Sequence, residues 1–285
     1  MIDIKAYFDT ATNTVTYLVT DKATNHAVLI DPVMDFDLPS ASLKSNSIDQ
    51  ILADIKEQAI ALEWVLDTHA HADHMSAADY VRTHTGAKIG IGANIVKVQS
   101  VFKTIFNAKD VEENGNVFDA LFEDGASISF GNSHIKVLHT PGHTPACVSY
   151  IIEDSVFVGD TLFMPDYGTA RADFPGGDAR TLYQSIQKIL SLPDDTRIFV
   201  GHDYLPEGRD TPQWETSVAQ QKSSNIHLQG GNENAFVTMR EARDKTLQVP
   251  KLILPSLQVN IRAGSVPPAE DDGQSYLKMP INRIA

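Results

Sequence analysis

The short stretch Thr68-His69-Ala70-His71-Ala72-Asp73-His74 constrains the possible fold and function of this chain more than any other. It follows the apolar run Trp64-Val65-Leu66, which predicts a short buried strand, so its polar side chains lie where a strand ends and a loop begins. Functional sites are often built on such loops. Imidazoles and carboxylates this close together are costly to bury unless a metal or a hydrogen-bond partner takes their lone pairs.

Donors of these two kinds together favour zinc, iron or manganese. The alternative is a solvated loop that happens to be rich in histidine, and a single histidine pair would leave that explanation ahead. The array of His69, His71, Asp73 and His74, with the donors described below, favours a metal site instead.

Composition narrows the class of protein. The chain has 285 residues, enough for one large domain or for one domain with a substantial appendage. Its net charge is -14, from 23 basic and 37 acidic residues, and it has no basic cluster that could follow a phosphate backbone, so we expect no nucleic-acid partner. Cys147 is the only cysteine, which excludes an internal disulfide and a thiolate metal cage and favours a reducing cytoplasm.

Neither a leader nor a membrane span is predicted. The N-terminus lacks a basic segment followed by an apolar one, and no apolar run is long enough to cross a bilayer. We therefore expect a soluble, cytoplasmic protein.

Strand and helix signals alternate along the chain. Residues 2–31 predict an antiparallel meander that stops at Asp31-Pro32, and Met34 to Pro39 are expected to form a loop over one end of the sheet. Helical spacing then predicts helices that begin after Ser47, cover Ala77–His84, run from Asn94 to Phe106, and follow Asp178 as far as Leu190. Segment 110–126 is assigned no regular element beyond a short helical piece.

Three more predicted strands end in metal-type donors. The apolar segments that precede His143, Asp160 and His202 end at those residues, just as another ends before His69. A rigid scaffold with functional loops produces sites of this kind. The order of elements predicts two sheets packed face to face with helices outside.

The character of the chain changes after Pro206. Helices are predicted from Thr211 to about Ser224 and from Asn232 to about Leu247, and the proline-punctuated remainder is expected to lie on the surface. We interpret residues 211–285 as a helical appendage near the site.

The motif from His69 to His74, followed in order by His143, Asp160 and His202, resembles the metal motifs of the metallo-β-lactamase superfamily over about residues 1–210. The resemblance implies an α/β protein with an αββα sandwich, two packed mixed sheets with outer helices and a metal site at one sheet edge. In dinuclear members, the corresponding residues imply one metal on His69, His71 and His143, a second on Asp73, His74 and His202, and Asp160 as the bridge.

Within that superfamily, the loops around Thr140–Cys147, Gly159–Leu162 and Arg171–Phe174 resemble those of the persulfide dioxygenases, which are mononuclear non-haem iron enzymes. The segments 31–36 and 163–169 are similar to a bacterial subgroup described as β-lactamase-like hydrolases and associated with sulfide detoxification. This resemblance implies one iron(II) per chain on His69, His143 and Asp160. The remaining motif residues, His71, Asp73, His74 and His202, would then position these donors.

Two imidazoles and one carboxylate leave three positions of an octahedral ferrous ion free for a persulfide and O2. The leading hypothesis is therefore the oxidation of glutathione persulfide, or a similar small persulfide, to sulfite. The runner-up is a glyoxalase II-type thioester hydrolase with two zinc ions. A non-catalytic metal-binding protein is the third possibility, and a homodimer stays open.

Four residues outside the motifs have two interpretations each. Arg171 and Asp173 are candidates to bind an anionic substrate, or they form an internal clamp of their loop. Tyr204 is a candidate hydrogen-bond donor to substrate or oxygen, or it has a structural partner. Cys147 could carry a persulfide, but packing in its strand is the favoured interpretation.

Overall fold

The computed structural model describes residues 1–283, and Ile284 and Ala285, the last two residues of the predicted appendage, lie outside the described residues. Across the described residues there are seven helices: α1 Asn46–Glu57, α2 Ala78–Thr85, α3 Ile95–Phe106, α4 Ala179–Leu190, α5 Val218–Ser224, α6 Glu233–Asp244 and α7 Ile253–Asn260. The strands of the N-terminal half are β1 Ile2–Asp9, β2 Thr14–Asp21, β3 His26–Ile30, β4 Val33–Asp37, β5 Ser42–Lys44, β6 Ala61–Leu66, β7 Met75–Ser76, β8 Lys88–Gly92 and β9 Ala120–Phe122. The remaining strands are β10 Ser127–Phe130, β11 Ser133–His139, β12 Val148–Ile152, β13 Ser155–Phe157, β14 Arg197–Phe199 and β15 Glu215–Ser217.

Two mixed sheets form the centre of the fold. The first has the order β1-β2-β3-β6-β8-β9, antiparallel as far as β3 and parallel beyond it. The second has the order β10-β11-β12-β13-β14-β15, with only β13 and β14 parallel. A small sheet, β5-β4-β7, lies beside the site. This is the predicted pair of mixed sheets.

Alternating apolar residues bury the facing surfaces of the two sheets against each other. Tyr17 and Leu66 of the first sheet pack in one cluster with Tyr150, Phe157 and Phe199 of the second. The outer face of the first sheet is covered by α1, α2, α3 and α7, and that of the second by α4, α5 and α6. The result is a layered αββα sandwich, as the sequence predicted.

Several predicted boundaries were wrong. The expected loop from Met34 to Pro39 contains β4, which pairs with both β5 and β7. Helix α1 begins after Ser45, because the side chain of Ser47 donates instead to Asp35. The segment 110–126 contains the short strand β9.

Corrections in the C-terminal extension, residues 211–283, bear on function. The helix expected from Thr211 begins only at Val218, after β15 has extended the second sheet. The stretch expected on the surface contains α7, in which Leu257 and Asn260 are fully buried. The extension therefore contributes to both outer layers of the sandwich. Within the described residues, none of the helices combines the length and the apolar character needed to span a bilayer.

Candidate metal centre

Four strand ends bring the predicted donors together at one edge of the sandwich. His69 follows β6, His143 follows β11, Asp160 follows β13 and His202 follows β14. An isolated bridge between Thr14 and His202, with the backbone bond from Val15 N to Gly201 O of 2.8 Å, joins the two sheets at this edge. The four donors are far apart in the sequence, but they meet because the ends of their strands lie together where the two sheets join.

Donor atoms of His69, His143 and Asp160 form a first donor group, within 4.8 Å of one another. Oδ2 of Asp160 lies 3.8 Å from Nε2 of His69 and 3.7 Å from Nε2 of His143. These are the three residues to which the persulfide dioxygenase resemblance assigns iron.

A second donor group consists of His71, Asp73, His74 and His202, also within 4.8 Å. Nε2 of His202 lies 3.2 Å from Oδ2 of Asp73 and 3.3 Å from Oδ1 of Asp160, so Asp160 stands between the groups. The dinuclear assignment implied by the resemblance places His71 with the first group. Here His71 belongs to the second group, and the contact of its Nε2 with Asp31 leaves Nδ1 as its free nitrogen.

A buried carboxylate, Asp31, fixes the orientation of two imidazoles. Nε2 of His71 donates to Asp31 Oδ1 at 3.0 Å. Thr68 Oγ1 donates to Asp31 Oδ2 at 2.9 Å and accepts from Nδ1 of His69 at 3.0 Å. Each imidazole therefore turns its free lone pair toward the donor groups, as outer hydrogen bonds do in metal sites. Gly159 permits this arrangement, since a Cβ there would lie 2.4 Å from Thr68 Oγ1.

Thr14, on β2, orients two imidazoles of the second group in the same way. Its hydroxyl lies 3.3 Å from Nδ1 of His74 and 3.3 Å from Nδ1 of His202. The hydroxyl can accept from both rings while it donates to Thr12 Oγ1 at 2.7 Å. Both rings then present Nε2 as the free donor.

His143 is oriented by a loop. Its Nδ1 donates to the carbonyl of Arg171 at 2.8 Å, which leaves Nε2 free. The preceding residue, Gly142, has φ +134°, and a Cβ there would lie 2.2 Å from the backbone nitrogen of Leu182 in α4. Only glycine lets this turn approach α4 so closely.

The site has the chemistry of a metal centre. Buried atoms without a hydrogen-bond partner concentrate here: His69 Nε2, His71 Nδ1, Asp73 Oδ2, His74 Nε2, Asp160 Oδ1 and His202 Nε2. Burial, together with neighbouring imidazoles, holds the pKa of both His69 and His71 well below the usual value. Both rings are therefore neutral at pH 7, the state in which imidazole binds a metal. Unpartnered polar atoms at this density fit one or two metal ions.

A cavity of about 690 Å³ opens above the donors. Asp73, His143 and Asp160 form its floor. Its walls include the aromatic residues Phe36, Phe163, Tyr167 and Tyr204. The C-terminal extension completes the lining with Arg240, Arg243, Leu247, Gln248, Pro250, Lys251 and Leu252.

Arg171 and Asp173 form the loop clamp that the sequence left open as an alternative. Arg171 donates from Nε to Asp173 Oδ1 at 2.5 Å, from Nη2 to Asp173 Oδ2 at 2.7 Å and from Nη1 to the Gln248 carbonyl at 2.7 Å. Arg171 lines the cavity, whereas the cavity lining does not include Asp173. Their role in substrate binding remains a prediction.

Tyr204 and Cys147 have different surroundings. Tyr204 lines the cavity, and its ring stacks on His202 with centroids 5.4 Å apart and planes 10° apart. Burial and the Asp73 and Asp160 carboxylates hold its pKa well above the usual value, so the phenol keeps its proton. Cys147 is buried, its Sγ lies 3.1 Å from Thr144 Oγ1, and burial raises its pKa to about 12. This environment is that of a packing residue.

Sequence reasoning missed several residues that shape the site. Asp31 carried a signal, because it ends a strand just before a proline. Thr14, Arg243, Lys251 and Asn260 carried none, because only the folded chain brings them to the site.

Comparison with known proteins agrees with this geometry. The profile of the metallo-beta-lactamase superfamily matches residues 9–202, which include all seven donors. The chain belongs to the metallo-β-lactamase superfamily. Its donor cluster indicates a metal cofactor, as is usual for this superfamily.

Relatives of this superfamily member carry several names. A β-lactamase hydrolase-like protein of Xylella fastidiosa is 50% identical over 99% of the chain, which spans 65% of that relative's length. A protein named Glyoxylase B2 from Dictyostelium discoideum is 45% identical, with 94% of this chain and 92% of the relative covered. Human persulfide dioxygenase ETHE1 is 34% identical, with 70% and 68% covered. The crystal structure of ETHE1 from Myxococcus xanthus superposes with a TM-score of 0.75 at 32% identity, covering 92% of this chain and 100% of that one.

Proposed function

We propose that this protein is a mononuclear non-haem iron(II) dioxygenase that oxidises low-molecular-weight persulfides. The observation that carries the proposal is the first donor group, in which His69 converges with His143 and Asp160, two residues at the floor of a large cavity. Two imidazoles and a carboxylate with open positions are a ferrous donor set for O2 chemistry. The likeness to ETHE1 proteins supports the same reaction class.

The net reaction consumes a persulfide, O2 and water and releases a thiol and sulfite. The terminal sulfur loses four electrons to O2 and gains both of its oxygen atoms, and water supplies the third oxygen of sulfite and the proton of the thiol. The iron, when bound, supplies the contact through which sulfur and O2 exchange electrons. His69, as a neutral imidazole, and His143 would hold the metal, and Tyr204, which keeps its proton, donates a hydrogen bond at the cavity floor.

The cavity walls favour a substrate with a carboxylate at some distance from its sulfur. Arg240 is committed to Asp244, at 2.7 Å, and Arg171 to Asp173. Over residues 1–283, neither Arg243 nor Lys251 forms an ion pair, and both line the cavity from the C-terminal extension. We therefore assign substrate anion recognition to Arg243 and Lys251. Glutathione persulfide, which carries two carboxylates, fits this arrangement.

A second candidate is a dinuclear zinc thioester hydrolase of the glyoxalase II type. The second donor group favours it, since His71, Asp73, His74 and His202 could hold another ion. The name of the Dictyostelium relative supports the same candidate. A cytoplasmic location and a homodimer remain predictions from the sequence.

The decisive experiment is metal analysis of protein purified without oxygen, followed by O2 uptake on addition of glutathione persulfide. We expect about one iron per chain and one O2 consumed for each sulfite formed. Two zinc ions per chain, no O2 uptake and hydrolysis of a glutathione thioester would establish the second candidate instead.

The same assay tests the substrate assignment. Arg243→Ala should raise KM for glutathione persulfide about tenfold while kcat changes little, since it removes one charge-assisted contact. KM for an uncharged alkyl persulfide should not change. Lys245→Ala is the matched control, because Lys245 is an exposed cation of the same segment outside the cavity lining. Equal effects of Arg243→Ala on both persulfides would contradict the assignment.

A further inference from the structure

We infer that Asn260, at the end of α7 in the C-terminal extension, is a positioning residue for the metal-binding loop His69–His74. Its Nδ2 donates to the backbone carbonyls of His71 and His74, each at 2.8 Å, and its Oδ1 accepts from the backbone nitrogen of Ser76 at 2.8 Å. The side chain is 1% exposed. One side chain thus spans the turn that carries the second donor group.

Only a side-chain amide can form this set of bonds. It supplies two donors and an acceptor from a single planar group. The buried carbonyls of His71 and His74 would each lose a hydrogen bond if Asn260 were absent. Asn260 therefore fixes the spacing between His71 and His74 without touching either imidazole.

Helix α7 holds Asn260 rigidly. Leu257 and Ile261 are buried in the same cluster as Ala70 and Ala72 of the metal-binding loop. Gln99 of α3 donates to the Ile261 carbonyl at 3.0 Å. Arg262 forms a two-point pair with Asp110 at 2.7 and 2.8 Å. The end of α7 is thus held by apolar packing against the loop, by Gln99 and by Asp110.

The close packing continues beyond the helix. Gly264 has φ +89°, and a Cβ there would lie 2.8 Å from the Ser76 carbonyl. The chain after α7 therefore lies directly against the end of the metal-binding loop.

Coupling between α7 and the loop follows from linkage. If the amide favours the loop geometry that binds metal, bound metal must in turn favour the docked state of α7. This holds for iron and for zinc, so the inference is independent of the proposed reaction.

The test compares Asn260→Asp with Asn225→Asp in the full-length protein. Asn225 is also fully buried in the extension, and its Nδ2 donates to Gly168 O and Gln221 Oε1 while its Oδ1 accepts from His227 N. Both substitutions replace a side-chain amide that donates two hydrogen bonds with a buried carboxylate of the same size. Only Asn260 contacts the metal-binding loop.

Zinc affinity is measured by competition with a chromophoric chelator, and amide hydrogen exchange of residues 69–76 is measured in metal-free protein. We expect Asn260→Asp to weaken zinc binding about 10- to 100-fold and to speed exchange in the loop. Asn225→Asp should leave exchange at residues 69–76 unchanged and weaken zinc binding much less, because Asn225 contacts Gly168 and not the metal-binding loop. Wild-type affinity and exchange in Asn260→Asp, or an equal loss in Asn225→Asp, would overturn the inference.

A measurement on the wild-type protein decides the matter if Asn260→Asp does not fold. Hydrogen exchange is followed with and without zinc. We expect zinc to slow exchange at the end of α7, residues 257–261, and to leave α5 unchanged. Exchange at residues 257–261 that does not respond to zinc would contradict the coupling.

Discussion

The two donor groups contain the same kinds of side chain but are held in place differently. In the first group, His143 is oriented by the carbonyl of Arg171, on a loop that the C-terminal extension secures through Gln248 and Asp244. In the second, His74 and His202 share the hydroxyl of Thr14, which belongs to a central strand. In the first group His143 thus depends on a loop beside the cavity, whereas in the second His74 and His202 depend on a strand of the sheet. The difference suits substrate chemistry at the first group and a fixed scaffold at the second.

The strongest test of this difference is the loss of a first-group donor. His143→Ala should lower persulfide-dependent O2 uptake at least about 100-fold and abolish stoichiometric iron binding, because only two donors of that group remain. Iron content after anaerobic reconstitution and initial rates of O2 uptake measure both effects. A variant that keeps one iron per chain and most of its activity would show that the first group is not the metal centre.

Loss of a second-group donor should lower O2 uptake and iron content less than loss of His143. His74→Ala should lower O2 uptake about 10- to 100-fold but retain one iron per chain, because in the proposed mononuclear centre His74 positions the donors and does not bind the iron. The same two assays apply. Loss of a metal ion together with an effect as large as that of His143→Ala would indicate that both groups bind metal.

A substitution at Thr14 tests the support that the sheet gives to the second group without removing a donor. Thr14→Val keeps the shape of the side chain but removes the hydroxyl shared by His74 and His202, and should lower O2 uptake by about tenfold or less. Thr16→Val is the matched control, since buried Thr16 lies on the same strand and its hydroxyl donates to the Asp31 carbonyl at 2.8 Å. Equal effects of the two substitutions would mean that the strand, and not the hydroxyl, matters.

The loop that orients His143 should also respond to pH. His227 Nδ1 accepts from Thr169 N at 2.9 Å, and burial, with Arg240 and Arg243 nearby, lowers the pKa of His227 to about 4. Unfolded chains bind this proton near pH 6.5, so the unfolded state gains protons first as the pH falls. The stabilisation is complete above pH 6.5 and is lost toward pH 4, by about 2 to 3 kcal/mol.

Denaturant unfolding of metal-free protein between pH 7 and pH 4 measures this loss. His227→Asn can still accept from Thr169 N but does not titrate, so its unfolding free energy should fall less over the same range. Parallel curves for the two proteins would rule out His227 as the source.

Sequence patterns predicted the donors better than the groups that hold them. Each donor follows a strand, and apolar periodicity locates strands because it reports burial directly. Thr14 and Asn260 lie 60 and 186 positions from His74, and nothing local marks them as its partners. Such contacts exist only once both sheets and α7 have assembled.

The misassigned elements have local causes as well. β4 lies between two prolines, and only a few of its residues pair with neighbouring strands. Its sequence therefore has the pattern expected of a loop. α7 contains Pro255, which suggested an irregular chain. Pro255 is the third residue of that helix, where its missing N–H has no intrahelical partner to lose.

The bond from Asn260 to His71 joins residues 189 positions apart, and this separation has a consequence for biosynthesis. All seven donor side chains leave the ribosome before α7 does, because synthesis proceeds from the N-terminus. A nascent chain therefore carries the donors before it has the amide that closes their loop, and it exchanges metal readily. On the inferred coupling, retention of the ion begins when α7 docks, so a long-lived metal centre forms only on a chain whose cavity wall is already in place.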